Sequence, residues 1–252
     1  MPMPMPTPLH ELDAFEDALV ARFEEHPVLA GISLLPDEDF AALLLQRRFV
    51  SLAFTPSYDL AIDLLRDEAG KRIARVILRE EYPGGDGHTP SHREDMTHDL
   101  GLLGISRDAL VASRPTAATR RSVEDAFELI AASGAHDDCD LRLLTVLRFW
   151  GEVLVSAEYG RLWERMGPRF ARGGENRSRF YHPHRVHDAK TQPLARVSLL
   201  SGSHSDRLAA RVTELLAREG SSDCFKELEE RSVQLKTAFY DQFLPALDRV
   251  GV

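Results

Sequence analysis

Apolar residues recur every three or four positions along most of the chain, and this spacing favours α-helices. In the segment LHELDAFEDALVARFEEH, the apolar positions that follow this rule are Leu12, Phe15, Leu19 and Phe23. They would share one face of a helix. A second helix is predicted to open at Pro36, in PDEDFAALLLQRRFVSLAF. A third is predicted to run through SYDLAIDLLRDEAGKRIARVILREEY and to end at Pro83, where proline and glycine oppose continuation.

The rest of the sequence continues the helical pattern. Ser91 is predicted to cap a new helix, with Glu94 as its capping-box partner. SVEDAFELIAAS predicts another helix, and DCDLRLLTVLRFWGEVLVSAEYGRLWERMG predicts a long central one, because apolar residues cover more than one of its faces. Two more helices are predicted near the C-terminus, RFARGGENRS is predicted to be a loop, and no strand is predicted. We therefore expect an all-α, single-domain helical bundle of about eight helices over residues 9–252.

The termini raise two separate expectations. The first eight residues, MPMPMPTP, lack an amide donor at alternate positions, so residues 1–8 are predicted to be a disordered tail. Near the C-terminus, the apolar residues of LKTAFYDQFLPAL would serve either a homodimer interface or the closing of the core.

Composition excludes several classes of function. The net charge of −9 argues against a general nucleic-acid-binding protein, which needs clustered lysine and arginine. The sequence has no signal-peptide pattern and no apolar run long enough for a membrane span, so we expect a cytoplasmic protein without a membrane partner. Cys139 and Cys224 are isolated, which predicts reduced structural thiols rather than a zinc–thiolate site.

Histidines are concentrated in two short segments. Six of the ten lie in REEYPGGDGHTPSHREDMTH and FYHPHRVHDAKTQ. In the second segment His184, His187 and Asp188 are spaced i, i+3 and i+4, which places them on one side of a helix. Imidazole and carboxylate together are typical ligands of iron, manganese or zinc. Helical bundles build di-metal sites from such side chains on facing helices.

One helix supplies only part of a metal's ligands, so other residues must complete the set. The candidates are Glu80 or Glu81, His88 or His92, and Glu152 or Glu158. If Glu152 faces inward in its apolar helix, it needs a cation or a hydrogen-bond partner. Each residue taken alone also fits a simpler role: Glu81 as a solvated helix end, His88 and His98 as surface residues, and Glu158 as surface charge. His10, His26, His136 and His204 belong to no pattern and are assigned no role.

Taken in order, these segments resemble the haem-oxygenase-like di-iron oxidases and oxygenases, relatives of the TenA, PqqC and CADD proteins. EEYPGGDGHTPSHREDMTHDLGLLGI is similar to the family's first ligand pair, FWGEVLVSAEY to its middle element, and FYHPHRVHDAKTQ to its last. The resemblance covers roughly residues 60–220 and implies an all-helical bundle. It implies five metal ligands: Glu81, His92, Glu152, His184 and Asp188. Less secure alternatives are His88, Glu158 and His187.

The sequence departs from the family pattern at one ligand. The family's closing histidine, three residues after the aspartate, falls at Thr191 here. His187 is one candidate replacement, although on a regular helix it points about 60° away from His184. The resemblance therefore implies either one or two bound iron ions.

The resemblance also implies an activity: a non-haem iron oxidase or oxygenase that acts on a small organic substrate with O2. Two alternatives remain open. One is a cofactor-free enzyme of the PqqC or TenA kind, in which His184 or Glu152 acts as acid or base. The other is a non-enzymatic binding protein with a degenerate pocket. Iron content separates the first hypothesis from both alternatives.

Overall fold

The computed structural model describes residues 8–84, 89–219 and 222–249. Most of the predicted tail and His88 therefore lie outside the described residues. The α-helices of the described residues are α1 (Leu9–Glu24), α2 (Pro27–Ala30), α3 (Asp37–Leu52), α4 (Phe54–Leu64), α5 (Glu68–Glu80), α6 (His92–Leu102), α7 (Arg107–Ala112), α8 (Ala117–Gly134), α9 (Cys139–Arg148), α10 (Leu154–Phe170), α11 (Tyr181–His187), α12 (His204–Glu219), α13 (Asp223–Asp241) and α14 (Leu244–Asp248). The prediction of an all-α fold is confirmed.

Two local predictions are wrong, and each has a physical reason. The predicted third helix is interrupted between α4 and α5: the backbone of Leu65 is extended, and the side chain of Asp67 caps the new helix by accepting from the amide of Gly70. The predicted loop after α10 contains a two-residue antiparallel pair, β1 (Ala171–Arg172) and β2 (Glu175–Asn176). Its turn is Gly173–Gly174, where both residues have positive φ, as a tight hairpin requires.

The cap predicted for α6 is confirmed. The side chain of Ser91 accepts from the backbone amide of Glu94, and the Glu94 carboxylate accepts from the amide of Ser91 at 2.8 Å. This reciprocal pair fixes the first turn of α6. His92 is the first residue of that helix, so the cap also fixes the backbone position from which its imidazole extends.

The predicted central helix is one continuous run that contains a π-helical turn. Between α9 and α10, residues Phe149–Val153 are π-helical. Apolar side chains of α9, among them Leu143 and Leu147, belong to one buried cluster, whereas Phe149, Leu162 and others further along belong to a second. The run therefore joins the two halves of the core. Phe239 and Phe243, from the C-terminal apolar segment, are buried in the second of these clusters.

Charged side chains also cross the interior. Arg148, at the end of α9, is fully buried and donates to both carboxylate oxygens of Glu16 on α1. A further bond of 3.5 Å runs to Glu229 on α13, which is buried as well. Lys190 approaches the same carboxylate of Glu16 at 3.0 Å. Arg148 thus links three helices through ion pairs that are buried away from water.

Among the described residues, no helix combines the length and the apolarity that crossing a bilayer requires.

Replacement of Arg148 by methionine tests this network. It leaves Glu16 and Glu229 buried without their main cation, so we expect the free energy of unfolding to fall by about 3–5 kcal/mol. The measurement is urea denaturation followed by circular dichroism. The matched control is Arg231→Met on the exposed face of α13, where Arg231 donates a surface hydrogen bond to Gln234, and a change within about 0.5 kcal/mol is expected. Equal effects of the two substitutions would contradict a structural role for Arg148.

Candidate metal centre

Helix α11 begins at a buried carboxylate from another helix. Asp99 of α6 is fully buried and accepts from the backbone amides of Arg179 and Phe180, both at 2.9 Å, and of Tyr181 at 3.2 Å. It also accepts from the hydroxyl of Ser178 at 2.6 Å. A carboxylate at a helix N-terminus satisfies amides that have no partner within the helix and complements the helix dipole. Asp99 therefore fixes where α11 begins, and α11 carries the histidine-rich segment.

The first group of candidate ligands joins α5, α6 and α11. One ligand atom each from Glu81, His92 and His184 lies within 4.8 Å of the others. Nδ1 of His92 lies 2.8 Å from Oε1 of Glu81, and the ring centroids of His92 and His184 are 4.6 Å apart. Burial works against the charged form of His92, but the hydrogen bond and charge of Glu81 outweigh it and raise its pKa.

The orientation of His184 is set by its own helix. Its Nδ1 lies 2.7 Å from the carbonyl oxygen of Phe180, so Nδ1–H donates there and Nε2 keeps its lone pair. Burial lowers the pKa of His184 well below its ordinary value, and the charge of His92 acts in the same direction. A neutral imidazole held by a backbone carbonyl is the usual state of a histidine that binds a metal.

The second group is fully buried and joins the π-helical turn to the ends of α11 and α12. Glu152, Asp188 and His204 each offer one ligand atom, and these atoms also lie within 4.8 Å of one another. Nδ1 of His204 is 3.4 Å from a carboxylate oxygen of each of the two acids. Tyr58, also fully buried, donates its hydroxyl to Glu152. π-helical turns within α-helices are frequent at functional sites, and here the turn carries Glu152.

The electrostatics of this group are those of two acids that share one cation. Burial raises the pKa of Asp188 well above its ordinary value, and the neighbouring charge of Glu152 raises it further. Burial disfavours charged His204, but hydrogen bonds with Asp188, Glu152 and Glu80 outweigh it and raise the pKa of His204 to about 12. Nε2 of His204 faces Glu80 at 3.2 Å, on the side away from the two buried acids.

His204 is the residue that sequence reasoning missed. It is the first residue of α12, sixteen positions after Asp188 in the chain, so no local spacing links the two. Thr191, at the position where the resemblance led us to expect a histidine, donates from its backbone amide and its hydroxyl to Asp206 in the first turn of α12. Thr191 thus holds the start of the helix that presents His204. One feature of the sequence could have indicated His204: like His92, it is a histidine at the start of a helix.

Two of the alternative candidates, His187 and Glu158, fall outside both groups. His187 is exposed, and its ring centroid is 6.1 Å from that of His204. Glu158 is completely buried, so the interpretation as surface charge is wrong, but it bonds to Arg47 and Lys236 instead. His88 lies outside the described residues. The five preferred residues, in contrast, all lie in one group or the other.

A cavity of about 370 Å³ reaches the candidate ligands. Its lining includes Glu81, His92, His184 and Asp188, together with apolar side chains such as Phe54, Met96, Val155 and Phe180. Cavities of this size, largely apolar with a few polar groups, are typical of small-molecule sites.

Comparison with known proteins supports the fold. No family model matches the sequence, and no curated protein matches it. A crystal structure of a TenA family transcription regulator from Silicibacter sp. TM1040 is similar, with a TM-score of 0.55 and 15% sequence identity. The match covers 95% of this chain and 97% of that chain. The chain therefore has a TenA-like helical fold, and at this identity the likeness shows the fold alone.

Asp99→Asn tests how α11 is held. The amide side chain has one acceptor oxygen and no charge, so we expect a loss of about 1–3 kcal/mol in the free energy of unfolding. Hydrogen exchange at the amides of residues 179–181 should also become faster. The control is Asp95→Asn, one turn earlier on α6, where burial raises the pKa of the aspartate. The control should leave that exchange unchanged. If it speeds exchange as much as Asp99→Asn does, α11 is not held by Asp99.

Proposed function

We propose that the protein is a non-haem iron-dependent oxidase or oxygenase that acts on a small organic substrate with O2. The observation that carries the proposal is the pair of three-ligand groups, each with two chemistries that iron accepts, carboxylate oxygen and imidazole nitrogen. The cavity that reaches them gives a substrate access. The TenA-like fold is compatible with this activity and does not by itself select it.

The residues present fit a metal. An ion that binds nitrogen and oxygen at about 2.0–2.2 Å brings its ligand atoms to about 3–4 Å from one another, and the ligand atoms in each group lie within 4.8 Å. Each of the two buried acids of the second group disfavours the ionised form of the other, as the raised pKa of Asp188 indicates, and a bound divalent cation would stabilise both as carboxylates. His184 lines the cavity, and because its Nδ1 bonds to the carbonyl of Phe180, Nε2 is the nitrogen that could bind an ion. Glu81, His92 and His184 would hold one ion, and Glu152, Asp188 and His204 a second.

Bound iron in its Fe(II) state would supply the activation of O2. The protein's own groups would do the rest. The carbonyl of Phe180 orients His184, Tyr58 orients Glu152 through its hydroxyl, and Glu80 holds the far nitrogen of His204. The apolar side chains of the lining, including Phe54 and Val155, would contact a bound substrate and displace water from it.

A cofactor-free enzyme is the second candidate. The observation that favours it is the existing ion pair of His204 with Glu152 and Asp188, which already gives the buried acids a positive partner. Acid–base catalysis works best with a pKa near the working pH. His204, with its pKa raised to about 12, and His184, with its pKa well below 6.5, both lie far from neutrality. These two shifts disfavour His204 and His184 as the acid–base group of a cofactor-free enzyme.

Anaerobic loading with Fe(II), desalting and mass-spectrometric metal analysis test the proposal. We expect near two irons per chain in the wild-type protein, and near one in each of the variants His92→Ala and His204→Ala, because each removes a ligand from one group only. Addition of O2 to the loaded protein should consume oxygen in an electrode cell.

The matched control is His136→Ala, an exposed histidine outside both groups, which should keep two irons. Active protein without iron would support the cofactor-free enzyme instead. Absence of both iron and any activity would support a non-enzymatic binding protein. Equal iron loss in the His136→Ala control would show that the binding is unspecific.

A further inference from the structure

The cavity that reaches the candidate ligands also contacts buried positive charge. Arg47 of α3 and Lys236 of α13 both line it, and they are only 3% and 4% exposed. Between them lies Glu158 of α10, which is completely buried. Cations are rarely buried to this extent unless something pairs with them.

The carboxylate of Glu158 accepts hydrogen bonds from both cations, and its two oxygens accept four bonds in all. Glu158 accepts from Nε and Nη2 of Arg47 at 2.5 and 2.9 Å, and from the ammonium of Lys236 at 3.0 Å. The hydroxyl of Tyr240 donates to it as well. Burial would raise the pKa of Glu158, but the charges of Arg47 and Lys236 outweigh burial and lower it to about 2. Arg47 and Lys236 therefore share one carboxylate, which leaves one positive charge in excess within this cluster. The charge of Asp188, which also lines the cavity, acts on Lys236 as well.

Lys236 is the cation of this cluster whose N–H donors are available to a ligand. An ammonium has three N–H donors, and the contacts among the described residues give Lys236 one hydrogen bond, to Glu158. Its nitrogen lies 5.6 Å from the ring centroid of Trp150, a contact that stabilises a cation without using a conventional acceptor. Arg47, in contrast, directs its donors at Glu158 and at the hydroxyl of Ser51.

Apolar and aromatic side chains form part of the lining of the cavity that Lys236 contacts. Phe54, Trp150, Val155 and Phe180 line it, and the ring of Phe180 is 4.2 Å, centroid to centroid, from that of His184. An anion bound to Lys236 would therefore have an apolar or aromatic body within reach of these side chains. Burial lowers the pKa of Lys236 to about 8, which leaves the ammonium predominantly protonated at neutral pH.

We propose that the cavity binds a small organic carboxylate, whose anionic group pairs with Lys236 and whose apolar or aromatic body lies against Phe54, Val155 and Phe180. This places the body of the molecule, rather than its carboxylate, beside His92 and His184. The inference names the substrate class of the proposed oxidase or oxygenase and rests on that function for its chemistry. The binding itself depends only on Lys236 and the lining.

Calorimetric titration with 4-phenylbutyrate and with its uncharged amide, 4-phenylbutyramide, tests the inference. Both ligands are titrated into chelator-treated protein and into protein loaded anaerobically with Fe(II), and the iron content of each sample is measured. The wild-type protein should bind the acid about tenfold or more tightly than the amide in both samples, because a buried ammonium binds a carboxylate more strongly than it binds the neutral carbonyl of an amide. Lys236→Met should remove this preference and leave the affinity for the amide within about twofold.

The control is Lys226→Met, a lysine on the same helix that does not line the cavity, which should keep the preference. Equal affinity for acid and amide in the wild-type protein, including no binding of either, overturns the inference. A preference for the acid that appears only in the iron-loaded protein and remains in Lys236→Met also overturns the inference, since iron would then hold the carboxylate. If the protein prefers the acid but retains no iron after loading with Fe(II), the result supports the Lys236 site and contradicts the metal-dependent function. Failure of the inference and failure of the proposed function are therefore distinguishable.

Discussion

Two carboxylates, Glu152 and Asp188, are buried side by side in the middle of the bundle, and much of the surrounding structure serves this arrangement. Placing like charges together in a medium of low polarity is costly unless cations and donors accompany them. Tyr58 supplies a donor and His204 a cation. The π-helical turn brings Glu152 to this place, and the end of α11 brings Asp188.

The same principle shows why these acids differ from the other buried charges. Arg148 with Glu16, and Arg47 with Glu158, are arginine–carboxylate pairs in which two guanidinium nitrogens donate to the two carboxylate oxygens. Such pairs join helices through two hydrogen bonds between one guanidinium and one carboxylate. Within the part of the chain that the structure describes, the acids near His204 form an ion pair with that imidazole and with no arginine. The carboxylates paired with arginine join helices. Glu152 and Asp188, which lie beside a histidine and near the cavity, are instead suited to bind an ion.

Much of the fold could be predicted from the sequence, because helical periodicity and caps are local signals. The apolar spacing in α1 and the Ser91–Glu94 cap are examples. The five preferred ligand candidates were predicted from the resemblance to a family pattern, and the structure brings them into two groups. Glu158 was misjudged because its burial depends on Arg47, Lys236 and Tyr240, which lie far away in the chain. His204 was missed because the path from Asp188 to α12 is irregular, and contacts such as Thr191 with Asp206 determine where it leads.

Anomalous diffraction tests the central claim most directly. Crystals of the full chain would be soaked anaerobically with Fe(II), and data would be collected on both sides of the iron absorption edge. The account predicts two anomalous peaks, one among Glu81, His92 and His184 and the other among Glu152, Asp188 and His204. Iron density at surface residues alone, with neither group occupied, would contradict it.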